Sequence, residues 1–195
     1  MAEDETSFTV RETAALAGVS ERILRNELGR GVVKPLRRRA ARGVYFDAAA
    51  LTYFSLLRDL GLRLGREDRA TLFRAIAGEP GTTWRRRGSQ VRRGALVLDL
   101  TEVEREARRR IRVLQRGRRR LHSDPGIQGG EPVFRGTRLP VRHVGGLAVR
   151  GIPVAEILSD HPALDARDVE FARLFVEIGP RPGRPRRKPS FKRVA

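Results

Sequence analysis

Apolar positions near the N-terminus fall at helical spacing and are interrupted by glycine. Ala14, Ala15 and Leu16 within Arg11–Ala17 predict a short helix, Gly18-Val19-Ser20 breaks it, and Ser20, a good N-cap residue, opens a second helix running to about Leu28. On that second helix Ile23, Leu24 and Leu28 fall on one side, whereas Arg22, Arg25 and Asn26 at i, i+3 and i+4 share the other. One side packs and the other is free to read a surface. Gly29 extends the outer face without a side chain, leaving room for a sugar-phosphate strand, and Arg30 follows it. Val32-Val33 and Val44-Tyr45-Phe46 are short β-prone runs around a loop that holds Lys34, Arg37, Arg38, Arg39 and Arg42. A hairpin with a cationic tip beside a helix-turn-helix is a wing. Asp47 then caps a third helix, whose Leu51, Phe54, Leu57 and Leu60 close the core.

The order of these pieces, TVRETAALAGVSERILRNE, GVVKP and VYFDAAALTYFSLLRDLG, resembles the winged helix-turn-helix of the MerR class. The chain departs from that class after the third helix, where no long dimerising coiled coil ending in effector-binding cysteines follows.

Further on, a strand over Ala95–Leu100 leads into Thr101-Glu102-Val103-Glu104, which reads as a capping box at the start of a long helix. Val103, Ala107, Ile111, Leu114 and Leu121 form a narrow apolar stripe on it, between many arginines. Such a stripe suits a seam against another helix, in this chain or in a second copy, and mutual repulsion of the guanidinium groups calls for acids or phosphate nearby. From Ser123 short extended pieces surround a Gly136-Thr137 turn, and three helices follow: Val141–Arg150, Pro153–Asp160 with Pro at its first position, and Ala166–Ile178 capped by Asp165. Gly145-Gly146 lies in the middle of the first of these, which implies either a bent helix or close packing there.

The expected fold class is mainly α: an N-terminal winged helix-turn-helix and a small C-terminal three-helix domain resembling a second helix-turn-helix, with short β-hairpins. The expected boundaries are residues 1–80 for the winged domain, 81–122 for a hairpin and basic connecting helix, 123–179 for the small helical domain, and 180–195 for a disordered basic tail.

Composition narrows the chemistry. The 195 residues carry 41 Lys+Arg against 23 Asp+Glu, a formal net charge of +18. A surplus of that size favours phosphate-rich partners through Coulomb attraction and counterion release. Cysteine is absent, which excludes disulfides, thiolate metal sites and thiol nucleophiles. His122, His143 and His161 have no metal-ligand spacing, so neither metal nor other cofactor is expected. No Walker-type phosphate loop, Ser/His/Asp set or close carboxylate pair points to an enzyme. No apolar run is long enough to span a bilayer and no secretory leader opens the chain, so a cytoplasmic, nucleoid-associated location without membrane contact is expected.

The stretch from Ser123 also resembles a known family. Asp124-Pro125, Gly130-Glu131-Pro132, Arg135-Gly136-Thr137-Arg138, Gly151, Glu156-Ile157-Leu158, Pro162, Leu164 and Val169 fall in the order found in the DUF433 family. With the preceding winged domain, the whole chain resembles that family's longer, VapB45-like antitoxins. The resemblance implies a bacterial type II antitoxin that neutralises a PIN-like ribonuclease toxin and represses its own operon on double-stranded operator DNA. It implies a homodimer or a larger toxin–antitoxin assembly. The residues expected at DNA are Ser20, Arg22, Arg25, Asn26, Arg30, Lys34, Arg37, Arg38, Arg39 and Arg42. The Gly-Arg-Pro tail, with Arg181, Arg184, Arg186 and Arg187, reads as toxin-binding, with an AT-hook-like minor-groove contact as the other reading. The rival for the whole chain is a non-specific or architectural DNA-binding protein, or a transcriptional regulator with no toxin partner.

Overall fold

A computed structural model describes residues 7–39, 43–60 and 63–179. Among them eight helices carry most of the chain, and eight short strands form three antiparallel sheets. The protein is mainly α with short hairpins, as the sequence pattern predicts.

The first layer contains β1 (Phe8–Thr9), α1 (Val10–Ala17), α2 (Glu21–Gly29), β2 (Arg37–Arg39), β3 (Gly43–Phe46), α3 (Ala48–Asp59) and α4 (Arg66–Ile76). A capping box not anticipated from the sequence starts α1. The Glu12 N–H donates to Thr9 Oγ1 and the Thr9 N–H donates to Glu12 Oε2. Gly18 turns the chain at φ 69°, and a Cβ there would lie 2.6 Å from the Arg58 guanidinium, which donates to the Ala17 carbonyl at 2.9 Å. The tight turn therefore needs glycine both for its backbone angle and for the space that Arg58 occupies.

Two local expectations are corrected here. Ser20 holds the N-cap position of α2, but its hydroxyl makes no cap hydrogen bond. Val32 and Val33 are not a strand. Both are buried, and their N–H groups donate to the Glu27 carbonyl at 2.9 and 3.4 Å, closing the C-terminus of α2. The strand lies further on: β2 pairs with β3 in the register Arg37↔Tyr45, Arg38↔Val44, Arg39↔Gly43, and β1 pairs with the other edge of β3. Asp47 caps α3 as expected, accepting from the Ala50 N–H.

A second sheet, β4 (Arg85–Arg87), β5 (Gln90–Arg93) and β6 (Leu96–Asp99), then leads into α5 (Thr101–Arg120). Leu24, Phe46, Tyr53, Phe54, Leu72, Trp84, Val91 and Leu100 belong to one core beneath these elements. The capping box expected at Thr101 does not form. Leu100, fully buried, is the N-cap, and Asp99 accepts from the Thr101 N–H. Glu104 is instead drawn to the sheet, where Arg86 and Ser89 donate to its two carboxylate oxygens at 2.7 and 2.9 Å. With a full cation and a hydroxyl on its two oxygens, the Glu104 carboxylate is held away from the helix end.

The C-terminal layer contains β7 (Leu121–His122), β8 (Val133–Phe134), α6 (Val141–Val149), α7 (Val154–Asp160) and α8 (Ala166–Ile178). Pro153 is the N-cap of α7 rather than its first residue. Asp165 caps α8 in a reciprocal box with Asp168. The apolar stripe of α5 is filled within the chain, by α8 on one side and by α1 and α3 on the other. Phe8, Leu16 and Leu51 from the first layer join Ala107, Leu114, Phe134, Val144, Phe171 and Leu174 in this second core. Helix α6 runs unbroken through Gly145-Gly146, and the glycine at 145 serves close packing: a Cβ there would stand 2.2 Å from the Ala172 carbonyl oxygen. Gly117 plays the same part on α5, with the Phe171 ring 1.9 Å from its missing Cβ.

Candidate nucleic-acid interface

Helix α2 sits on a buried polar anchor. Glu27 is 6% exposed, accepts from the Tyr53 hydroxyl at 2.9 Å and from Arg69 Nε at 3.1 Å, and Arg69 also donates to the Leu64 carbonyl at 2.8 Å. A buried carboxylate survives only when paired and hydrogen-bonded, so α2, α3 and α4 are fixed relative to one another by charge as well as by packing. Burial, and then the neighbouring Glu27 charge, push the Tyr53 hydroxyl far above its ordinary titration range. The sequence reading missed this anchor. Its signal is an acid at position 27 on the same side as Leu24 and Leu28.

The opposite side of α2 is open. Arg22, Arg25 and Asn26 are all exposed there. Arg25 donates from Nη2 to Glu21 Oε2 at 3.0 Å, and Glu21 also pairs with Arg11 at 3.3 Å. Arg22, Asn26, Arg30 and Lys34 have no side-chain partner among the described residues. Ser20 is exposed at the start of the helix, with its hydroxyl uncommitted to the cap. Ile23 departs from expectation. It is 42% exposed and lies with Val19, Leu57 and Leu64 along an open cleft between the helix turn and α4, while Leu24 alone of the three expected apolar residues is fully buried.

Strand β2 is the next element after α2. The Leu36 N–H donates to the Tyr45 carbonyl at 2.9 Å, and Arg37, Arg38 and Arg39 stand opposite Tyr45, Val44 and Gly43 of β3. Arg42, at the expected wing tip, lies outside the described residues, as do Arg181, Arg184, Arg186 and Arg187 of the tail. Ser20, Arg22, Arg25, Asn26, Arg30 and Lys34 therefore precede the backbone of Arg37–Arg39 in one stretch of chain that runs from α2 through the turn after it into β2.

Elsewhere, His143 and His161 meet edge to face with ring centroids 6.0 Å apart, a proximity the sequence spacing does not reveal. Among the described residues no cluster of three or more His, Asp or Glu side chains is placed to hold a metal ion. No helix among them is long and apolar enough to cross a membrane.

Comparison with known proteins bears on the C-terminal layer. The family model described as a protein of unknown function, DUF433, matches residues 121–176. The chain is 31% identical over 151 residues to the uncharacterized protein y4eO of Sinorhizobium fredii, spanning 74% of this chain and 68% of that one. The chain belongs to the DUF433 family. The DUF433 segment opens at β7, the strand that fastens the end of α5 to β8 and so ties the segment to the helix before it. The crystal structure of Rv2018 from Mycobacterium tuberculosis is 14% identical, with a TM-score of 0.33 over 85% of this chain and 96% of that chain, a likeness too slight to bear on the fold.

Proposed function

We propose that this DUF433 protein binds double-stranded DNA through α2 and the β2–β3 wing, as the operator-binding antitoxin of a type II toxin–antitoxin pair whose toxin is a PIN-like ribonuclease. The observation that carries the DNA reading is the front of α2. There Arg22, Asn26 and Arg30 stand exposed without partners among the described residues, on a helix held rigidly from behind by Glu27, Tyr53 and Arg69. Side chains so disposed suit the major groove, where Arg reads guanine and Asn reads adenine through paired hydrogen bonds. The wing arginines are suited to phosphate. The antitoxin reading rests on the family resemblance of the sequence. On this proposal the protein is a cytoplasmic homodimer on a pseudo-palindromic site, acts by binding alone, and needs no cofactor.

A second reading, charge-driven binding without a preferred site, draws support from cations away from α2: Arg85, Arg87 and Arg92 are exposed on the β4–β6 sheet. Footprinting on the chain's own promoter separates the two. The proposal expects one protected site, with Arg25→Ala weakening that site by about 1–3 kcal/mol while scarcely changing random duplex. Arg38→Ala should weaken all duplexes alike and reduce the salt slope by about 1. Equal losses on both duplexes for Arg25→Ala would favour the charge-driven reading. Co-expression with the adjacent gene, scored by relief of growth arrest, tests the toxin partner.

A further inference from the structure

Helix α5 carries nine arginines, and most are neutralised. Acid partners hold Arg105, Arg108, Arg109, Arg110, Arg116, Arg118 and Arg120, drawn from α5 itself, α1, α8 and the Asp165 cap. Two arginines, Arg112 and Arg167, are left over in one groove between α5 and α8. Arg112, Gln115, Arg116 and Arg119 of α5 line it with Arg167 of α8, above Val113. Arg112 and Arg167 are exposed and have no acid partner among the described residues. Glu170, the carboxylate of that groove, is already held by Arg109 at 2.6 Å. Arg116 is split: its Nη2 pairs with Asp165, while its Nη1 is buried with no hydrogen-bond partner. A buried guanidinium N–H without an acceptor is a strong demand for one.

We propose that this groove is an anion site for phosphate oxygens, separate from the winged helix-turn-helix. Arg112 and Arg116 stand about one turn apart, about 6 Å along the helix axis, so both border the same groove. The residues of α5 that meet α1 are Arg110, which donates to the Leu16 carbonyl, and Arg118, which pairs with Glu12. Arg112 lies two residues from Arg110, roughly 200° around the helix, so the groove opens away from the α1 side. Guanidinium is the group of choice for phosphate because its planar fork donates two parallel bonds. A nucleic-acid backbone and a free phosphate compound share this chemistry.

The test compares the full chain with Arg112→Ala/Arg167→Ala, and with Arg85→Ala/Arg87→Ala, which removes equal charge from the exposed β4–β6 sheet. Two quantities are measured: the rise in Tm on adding pyrophosphate, and the slope of log K against log salt for a random duplex. The proposal expects the pyrophosphate response to vanish in the groove variant alone, and its duplex slope to flatten by about 2. Loss of the pyrophosphate response with an unchanged slope identifies free phosphate as the source. A flattened slope without any pyrophosphate response in the wild type identifies the nucleic-acid backbone. Groove and sheet variants that behave alike in both measurements overturn the site. Arg112→Gln, a single exposed change, repeats the comparison if the double variant folds poorly. The site does not rest on the DNA reading of α2: Arg22→Ala should leave the pyrophosphate response intact.

Discussion

Helices α2 and α5 are both rich in arginine, and both turn one side to the core, yet they use the residue in opposite ways. On α5 at least seven arginines are met by acids of α5 itself, α1, α8 or the Asp165 cap, so most of its charge is neutralised inside the fold, and Arg109, Arg116, Arg118 and Arg120 tie the helix to its neighbours. On α2 the acid is behind the helix. Glu27 is buried against Tyr53 and Arg69, while the front keeps Arg22 exposed and leaves Arg25 with a single exposed partner, Glu21. The net charge of +18 therefore overstates what is available to a polyanion. Availability follows from where the acids sit.

The sharpest way to break the comparison is to remove the hidden acid. Glu27→Ala leaves Arg69 and the Tyr53 hydroxyl buried without their shared acceptor, and should cost about 3–5 kcal/mol, a large share of the stability of an ordinary domain. Chemical denaturation checks it, and a loss under 1 kcal/mol would show that α2 is held by apolar packing alone. On the α5 side the corresponding contact is steric. Gly117→Ala drives a methyl into Phe171, and Gly145→Ala drives one into the Ala172 backbone, so each should cost about 3 kcal/mol. Gly146→Ala is the control. Its nearest neighbour is Arg150 Nη1 at 3.9 Å, and the change should stabilise α6 by up to about 1 kcal/mol.

How much of this was legible depended on whether the deciding partner was local. The Asp47 cap, the Gly18 turn and the span Ala166–Ile178 follow from residues within one turn of each other, and they form where the pattern puts them. Val32-Val33 misled because β-branched residues also suit a buried turn, and what decided was the free carbonyl of Glu27. The Thr101 box failed for a non-local reason, since Arg86 on β4 claims Glu104. Gly145 stands out in the sequence because it falls in the middle of a predicted helix, whereas Gly117 gains its meaning only from the approach of Phe171, far along the chain. At the candidate interface the exposed Arg and Asn positions could be read from helical phase. The exposure of Ile23 could not, because it depends on where α4 packs, and phase puts Glu27 on the packed side without revealing Tyr53 and Arg69 as the partners that hold it there.

Binding separates the helices next. If free and neutralised arginines differ as argued, Arg22→Ala should weaken duplex binding about tenfold, near 1.4 kcal/mol, whereas Arg118→Ala, whose partner is Glu12, should change it less than twofold. Anisotropy titrations at one fixed salt concentration suffice. Equal effects would mean that the total charge, not its distribution, governs association.

The smallest effects lie at the two ends of the pH scale, and they assign each helix its own limb. The Tyr53 hydroxyl titrates far above its ordinary 10.0 in the folded state because burial and the Glu27 carboxylate both oppose its ionisation. Above pH 10 the unfolded chain sheds that proton while the folded one keeps it, so stability contributed here is complete below pH 10 and falls as pH rises further. Tyr53→Phe should cost about 1 kcal/mol at neutral pH and flatten the alkaline limb. At the acid end the hydrogen bond from Arg109 holds Glu106 below its ordinary 4.5. For Asp165, burial pulls upward, but the bonds from Arg116 and the Asp168 N–H outweigh it and leave the group below 3.8. Both carboxylates add stability above those values, and the contribution is lost as pH falls through the depressed range. Glu106 is about half exposed, so solvent screening limits its share to a few tenths of a kcal/mol, and Glu106→Gln should flatten the acid limb by no more than that. An acid limb that responds to Tyr53→Phe, or an alkaline limb that responds to Glu106→Gln, would mean that the two helices unfold as one electrostatic unit and that the division between them is not energetic.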